Sequence, residues 1–235
     1  MMESAQDSAG AQALDRGRPA TAKVAAQEPG ETASGRASKR RALMLRSAKV
    51  IAQAGEFVCI VRDVSDLGTS LSFLHDVPPD ERMILALANG LTYPIERVWS
   101  GKRQAGYRFG ADVTMDEFIR ENAPFELRPI RLEIEADART IDGREHTPVR
   151  MRNISTHGAM FESLSDHAQG RLIVFQIEGA PQYLAQICWR EETRYGLRFQ
   201  HPIALAELAG IALRIQPFAA SAPAGGDGVE AARAA

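Results

Sequence analysis

The chain has 235 residues, 45% of them hydrophobic and 25% charged, an ordinary globular composition with room for one large domain or two small ones. A formal net charge of −2 gives no overall attraction to nucleic acid or to a membrane surface, so any polyanion site has to be local. No uninterrupted apolar run approaches the roughly 20 residues of a membrane helix, and MMESAQDSAGAQALDRGRPA lacks the apolar core of a secretory signal, so a cytoplasmic protein with no membrane insertion is expected.

Residues 1–35 hold no aromatic side chain and are rich in Ala, Gly, Ser, Gln and charge, which predicts a disordered tail. A basic run follows, with Arg36, Lys39, Arg40, Arg41, Arg46 and Lys49 in fourteen residues and no acidic residue among them. The segments AKVIA, FVCIVRDV, TSLSFL, MILAL, PIERVW and YRF come next. They are short apolar or alternating runs bounded by Gly, Pro and Asp, the pattern of strands. Thr114 and Glu117 have capping-box spacing ahead of Phe118 and Ile119, and Pro124 stops the chain soon after, which predicts a short helix.

The scheme then repeats with PIRLEIEADA, VRMRNI, GAMFES, RLIVFQI, QYLAQICW and YGLRF, followed by LAELAGIALRI, which sets Leu205, Leu208, Ile211, Ala212 and Ile215 on one helical face. The end, 219–235, has tail composition. The expected fold is mainly β: two small six-stranded antiparallel barrels, whose closure removes exposed edges, each followed by a short α-helix over one mouth. The expected order is a tail over 1–35, modules over 36–123 and 124–218, and a tail over 219–235.

The repeat is visible residue by residue. Asp63, Ser65, Gly68, Trp99, Gly106, Arg108 and Phe109 recur as Asn153, Ser155, Gly158, Trp189, Gly196, Arg198 and Phe199, every pair 90 apart and both tryptophans of the chain included. Such a match predicts two copies of one folded module. Cys59 and Cys188 fall in apolar segments of different modules and read as buried thiols, not as a disulfide. Trp99 and Trp189 end apolar strands and read as core; Arg108 and Arg198 read as partners of barrel carboxylates or as solvent-facing.

An acid or amide, a small hydroxyl and a glycine between two strands form a good turn, with glycine supplying positive φ. That structural reading is sufficient for either copy alone. Only the first copy, however, follows the basic run, in which Arg36 and Arg40 stand four apart. Arginine grips phosphate bidentately and stacks on a purine. A carboxylate only accepts hydrogen bonds, and guanine offers N1–H and N2–H side by side where adenine offers no such pair, so Asp63 suits guanine.

RxxxR (Arg36, Arg40), then DxSxxG (Asp63, Ser65, Gly68) 23 residues after Arg40, then Trp99 and Gly106 to Phe109, resembles the PilZ domain family, as a tandem. The resemblance implies six-stranded barrels with a C-terminal helix that bind the second messenger cyclic di-GMP. It assigns phosphate and guanine contacts to Arg36 and Arg40, an auxiliary contact to Arg41, and guanine contacts to the Asp63, Ser65 and Gly68 edge. It also implies a bacterial signalling receptor that changes conformation or partner contacts on binding and regulates motility, adhesion or exopolysaccharide output through an unidentified protein partner. The second copy keeps Asn153, Ser155 and Gly158, but its arginines, Arg128 and Arg131, are three apart, and Leu127 stands where an arginine is wanted. In an extended arm that spacing sends the two side chains to opposite sides. These five residues form a degenerate second site, and the second module fits a packing or partner-contacting role.

The five histidines, His75, His146, His157, His167 and His201, lack zinc-like spacing, and neither serine sits in a nucleophile elbow, so no metal, no cofactor and no enzymatic activity are expected. Six cations in an arm would give salt-sensitive nucleic-acid binding, but few aromatics are offered for base stacking, and nucleic acid is not the expected partner. The alternative is a ligand-free adaptor acting through protein–protein contacts.

Overall fold

A computed structural model of the chain describes residues 45–120 and 129–218. The two expected tails, Arg36, Arg40, Arg41, Arg128 and the connector around Asn122 to Phe125 lie outside the described residues.

Six runs of the first module form β1 (Arg46–Ala52), β2 (Gly55–Ser65), β3 (Gly68–Phe73), β4 (Arg82–Ala86), β5 (Thr92–Ser100) and β6 (Gln104–Phe109). They pair antiparallel in the order β1-β2-β3-β6-β5-β4 and close through β1 and β4. Alternation selects the interior: Thr69, Leu71 and Phe73 of β3 point in and are buried, as are Ala48 and Val50 of β1. The helix predicted next is α1 (Met115–Arg120). Its fully buried Phe118 packs 5.1 Å from Tyr93 and 5.8 Å from Phe109, ring centre to ring centre, and covers that end of the barrel.

The second module repeats this with one addition. PIRLEIEADA is not one strand. It splits into β7 (Arg131–Leu132) and β8 (Ala136–Asp142), between which Ile134 is fully buried. β9 (Glu145–Ser155), β10 (Gly158–Glu162), β11 (Leu172–Ile177), β12 (Gln182–Glu191) and β13 (Arg194–Phe199) complete a barrel closed by β9 and β10, and β7 adds to the free side of β9. The core is aromatic, with Phe161 stacked on Tyr195 at 5.3 Å.

Both barrels belong to one compact unit, and α2 (Leu205–Ile215) joins them. Leu208, Ala209, Ile211 and Ala212 are its buried residues, while Leu205 and Ile215 of the expected face are only partly covered. The helix does more than cap its own barrel. Glu207 accepts a hydrogen bond from the Tyr183 hydroxyl of β12, but the helix also packs on β2 of the first barrel. At its end Gln216 Oε1 accepts the Glu56 N–H at 2.9 Å, and Phe218 meets Phe57 edge to face at 5.0 Å. Gly55 makes this possible. Its φ is +138°, and a Cβ there would lie 2.3 Å from the Gln216 side chain.

Candidate functional site

In β2 the side chains at Val61 and Asp63 would share a face, and Val61 points into the core. A bulge at Arg62 breaks the alternation, so that Asp63 pairs with Ser70 and turns outward to an exposed position. Two hydroxyls of β3 hold it there. Thr69 Oγ1 donates to the Asp63 carbonyl at 2.7 Å, and Ser70 Oγ donates to Asp63 Oδ2 at 2.5 Å. Ser65 Oγ donates to the Gly68 carbonyl at 3.2 Å and closes the turn.

Gly68 is required for a different reason from the one the sequence suggests. Among the described residues the positive-φ glycines are Gly55, Gly90, Gly143, Gly170 and Gly179; neither Gly68 nor Gly158 is among them. Instead β3 passes so close to β6 that a Cβ on Gly68 would sit 2.1 Å from the Tyr107 carbonyl oxygen, and one on Gly158 would sit 2.1 Å from that of Leu197. The glycine of this motif is a contact between strands.

The second copy reproduces the bulge, at Arg152, and the turn, with Ser155 Oγ donating to the Gly158 carbonyl at 3.2 Å. It differs around the amide. Ala159 and Met160 stand where the first copy has Thr69 and Ser70, so no β3-type hydroxyls are available. β7 lies along this edge, Arg131 opposite Ser155 and Leu132 opposite Ile154. Asn153 is only 5% exposed and donates from Nδ2 to Glu133 Oε2 at 3.3 Å, while its Oδ1 is buried without a partner among the described residues. Asp63 and Asn153, equivalent in sequence, therefore stand in opposite environments.

The segment carrying Arg131 is tied to the first barrel. Glu56 Oε2 accepts the Glu133 N–H at 2.7 Å and Lys49 Nζ at 2.7 Å, and Lys49 also donates to the Arg131 carbonyl at 2.9 Å. The Lys49 and Glu56 side chains are 16% and 13% exposed, so this junction is largely screened from water. Of the expected site residues, then, the structure brings Asp63, Ser65 and Gly68 together at one edge and Arg131, Asn153, Ser155 and Gly158 at the other.

Two expectations about neighbouring residues are corrected. Trp99 and Trp189 are 51% and 42% exposed, not core. Bulges at Val98 and Cys188 turn each indole outward, where it lies flat on a glycine of the next strand: a Cβ on Gly106 or Gly196 would fall 2.0 or 1.9 Å from the indole Nε1. Cys188, next after the inward Tyr183, Ala185 and Ile187, faces outward and is exposed, whereas Cys59 is fully buried and burial pushes its thiol pKa up. Arg108 pairs with Glu96 at 2.7 Å, and this hydrogen bond holds the Glu96 carboxyl below its ordinary range. The registers also set Asp63, Ser70, Gly106 and Trp99 in one row across four strands. Thr69 and Ser70 were missed from sequence; the signal was the contrast between GTSLSF and GAMFES after the two turns. Among the described residues no cluster of three or more His, Cys, Asp or Glu side chains is arranged to hold a metal ion, and no helix is long and apolar enough to cross a membrane.

No curated protein matches the chain. Among solved structures, the PlzA protein of Borreliella burgdorferi in complex with c-di-GMP is similar at 9% identity and a TM-score of 0.32, covering 72% of this chain and 87% of that one. The inhibitor of motility MotI/DgrA of Bacillus subtilis has 11% identity and a TM-score of 0.31, covering 73% and 96%. YcgR of Escherichia coli in complex with c-di-GMP has 10% identity and a TM-score of 0.27, covering 73% and 81%. Residues 126–213, from ahead of β7 into α2, match the PilZ domain model. The likeness to the PilZ domain family is thus one of the second barrel and the greater part of α2.

Proposed function

We propose that the protein is a non-enzymatic receptor for cyclic di-GMP that reads guanine at the Asp63 edge of the first barrel, with Arg36, Arg40 and Arg41 holding phosphates and bases. The observation that carries the reading is the difference between the two edges. Asp63 is exposed and held by hydroxyls, ready to accept N1–H and N2–H of guanine. Asn153 is buried and committed to Glu133. The PilZ match supports the ligand class, and the basic run ahead of β1 supports the side on which it binds. Ordering the arginine arm over the dinucleotide supplies contacts that exist only in the bound state, which is what a change of conformation or partner requires. Control of motility, adhesion or exopolysaccharide output in the cytoplasm, through a protein partner, follows from the family resemblance.

For the second barrel a different role is favoured by its own contacts. Glu133, just after β7, and Gln216, just after α2, both bond to Glu56 of the first barrel, so the second barrel acts as the packing partner of the first. The test is isothermal titration with cyclic di-GMP beside cyclic di-AMP and GTP. Selective binding of one ligand unit per chain, monomeric or self-paired, supports the reading. Absence of binding puts the whole chain in the ligand-free adaptor class.

A further inference from the structure

A carboxylate at an exposed strand position rotates freely about two side-chain bonds, and a ligand that needs it in one orientation has to order it on binding. Asp63 is spared this. Its carbonyl takes the Thr69 hydroxyl, and its Oδ2 takes the Ser70 hydroxyl from the directly opposite position of β3. A hydroxyl donating to a carboxylate is a charge-assisted hydrogen bond, stronger than a neutral one, and it uses one acceptor direction of Oδ2 only. Oδ1 makes no hydrogen bond to any described residue, and the Ser70 hydroxyl leaves a second acceptor direction on Oδ2. Two adjacent acceptors on one carboxylate match two adjacent donors on guanine.

The second barrel supplies the comparison within one molecule. Its backbone edge has the same bulge, the same serine-to-glycine hydrogen bond and the same close strand approach. The positions equivalent to Thr69 and Ser70 hold Ala159 and Met160, neither of which can donate a hydrogen bond from its side chain, and β7 runs alongside. There the amide of Asn153 is turned to Glu133 and buried.

We infer that Ser70 is a positioning residue for guanine specificity, fixing the Asp63 carboxylate in its ligand-competent orientation before the ligand arrives; this rests on the proposed guanine reading of the site. Ser70 acts through Asp63 and is not itself assigned a ligand contact. Its effect is therefore on discrimination: a correctly oriented carboxylate rewards guanine and leaves adenine, which lacks the donor pair, without gain.

The experiment titrates wild type, Ser70→Ala, Ser70→Thr and Asp63→Ala with cyclic di-GMP and with cyclic di-AMP, after checking that all four melt at similar temperatures. Ser70→Ala is expected to weaken cyclic di-GMP binding by about tenfold, the scale of ordering one side chain. It should narrow the preference over cyclic di-AMP by the same factor. Ser70→Thr keeps the hydroxyl and should stay within about threefold of wild type. Ser70→Ala binding like wild type while Asp63→Ala loses binding overturns the role of Ser70 and leaves the receptor reading standing. An equal loss for both dinucleotides overturns it too, since a general structural defect does not discriminate. A wild type that binds neither dinucleotide overturns the receptor reading and this inference with it.

Discussion

Replacing Gly158 with alanine tests the claim that the motif glycines are strand contacts. The added Cβ would lie 2.1 Å from the Leu197 carbonyl oxygen. A comfortable carbon-to-oxygen approach is about 3.3 Å, so β10 and β13 have to separate by about 1.2 Å at Gly158 and Arg198, the first pair of that ladder. Backbone gives way less readily than a side chain tip, which places the cost at the upper end of overpacking, about 3 kcal/mol. For a domain of this size that is a fall of about 6–12 °C in Tm. Gly210→Ala is the opposite case: nothing lies within 4 Å of its Cβ, and the position is inside α2. It should gain up to about 1 kcal/mol and raise Tm by about 2–4 °C. Gly143→Ala meets no neighbour but has a φ of +62°, so it should lose about 1 kcal/mol through backbone strain alone. Thermal unfolding followed by circular dichroism orders the three. A Gly158→Ala protein that melts with wild type refutes the close approach, and with it the structural account of Gly68. The same clash means that a Gly68 variant that fails to bind ligand reports on the strands, not on a contact to guanine.

Glu56→Ala should be strongly destabilising, by about 3 kcal/mol in urea unfolding. It strips the partner from the half-buried Lys49 and leaves the Glu133 N–H without its acceptor. A loss of under about 0.5 kcal/mol, the scale of an exposed surface pair, would show the junction to be open to water. His75 is buried among Phe57, Phe73 and Phe218, and burial holds its imidazole below the ordinary value. The sign follows from which state takes up the proton: the unfolded chain protonates His75 near pH about 6.5 and the folded one only lower. Stability contributed by the neutral ring is thus present above pH about 6.5 and lost as pH falls from there through the depressed folded value. Unfolding midpoints measured from pH 7 downward should fall less steeply in His75→Phe than in wild type; parallel slopes would remove His75 from the account.

The strands were legible because each apolar run, such as FVCIVRDV or TSLSFL, is bounded by turn residues and has the length of a single strand. The two-barrel repeat was legible because Trp and Gly recur together as one steric unit: the indole of Trp189 occupies the space a Cβ on Gly196 would take, and Trp99 does the same at Gly106. The bulges were not. A single extra residue at Arg62, Val98, Arg152 or Cys188 reverses the alternation beyond it, which is why uninterrupted alternation would carry both tryptophans inward. Contacts between the barrels were also invisible. Glu56 and Glu133 are 77 residues apart, and nothing local to either residue signals the other. The amide of Asn153 illustrates the limit for the site: its motif matches that of Asp63, yet it is buried and hydrogen-bonded to Glu133, a partner 20 residues away in sequence.

The central claim is that the first barrel edge, not the second, receives the dinucleotide. Titrating Asp63→Ala and Asn153→Ala side by side with cyclic di-GMP tests it most directly. Binding should disappear in Asp63→Ala and persist within about threefold of wild type in Asn153→Ala, with unchanged stoichiometry. Binding that survives Asp63→Ala and disappears in a folded Asn153→Ala protein would contradict the account and move the receptor site to the PilZ barrel beside β7.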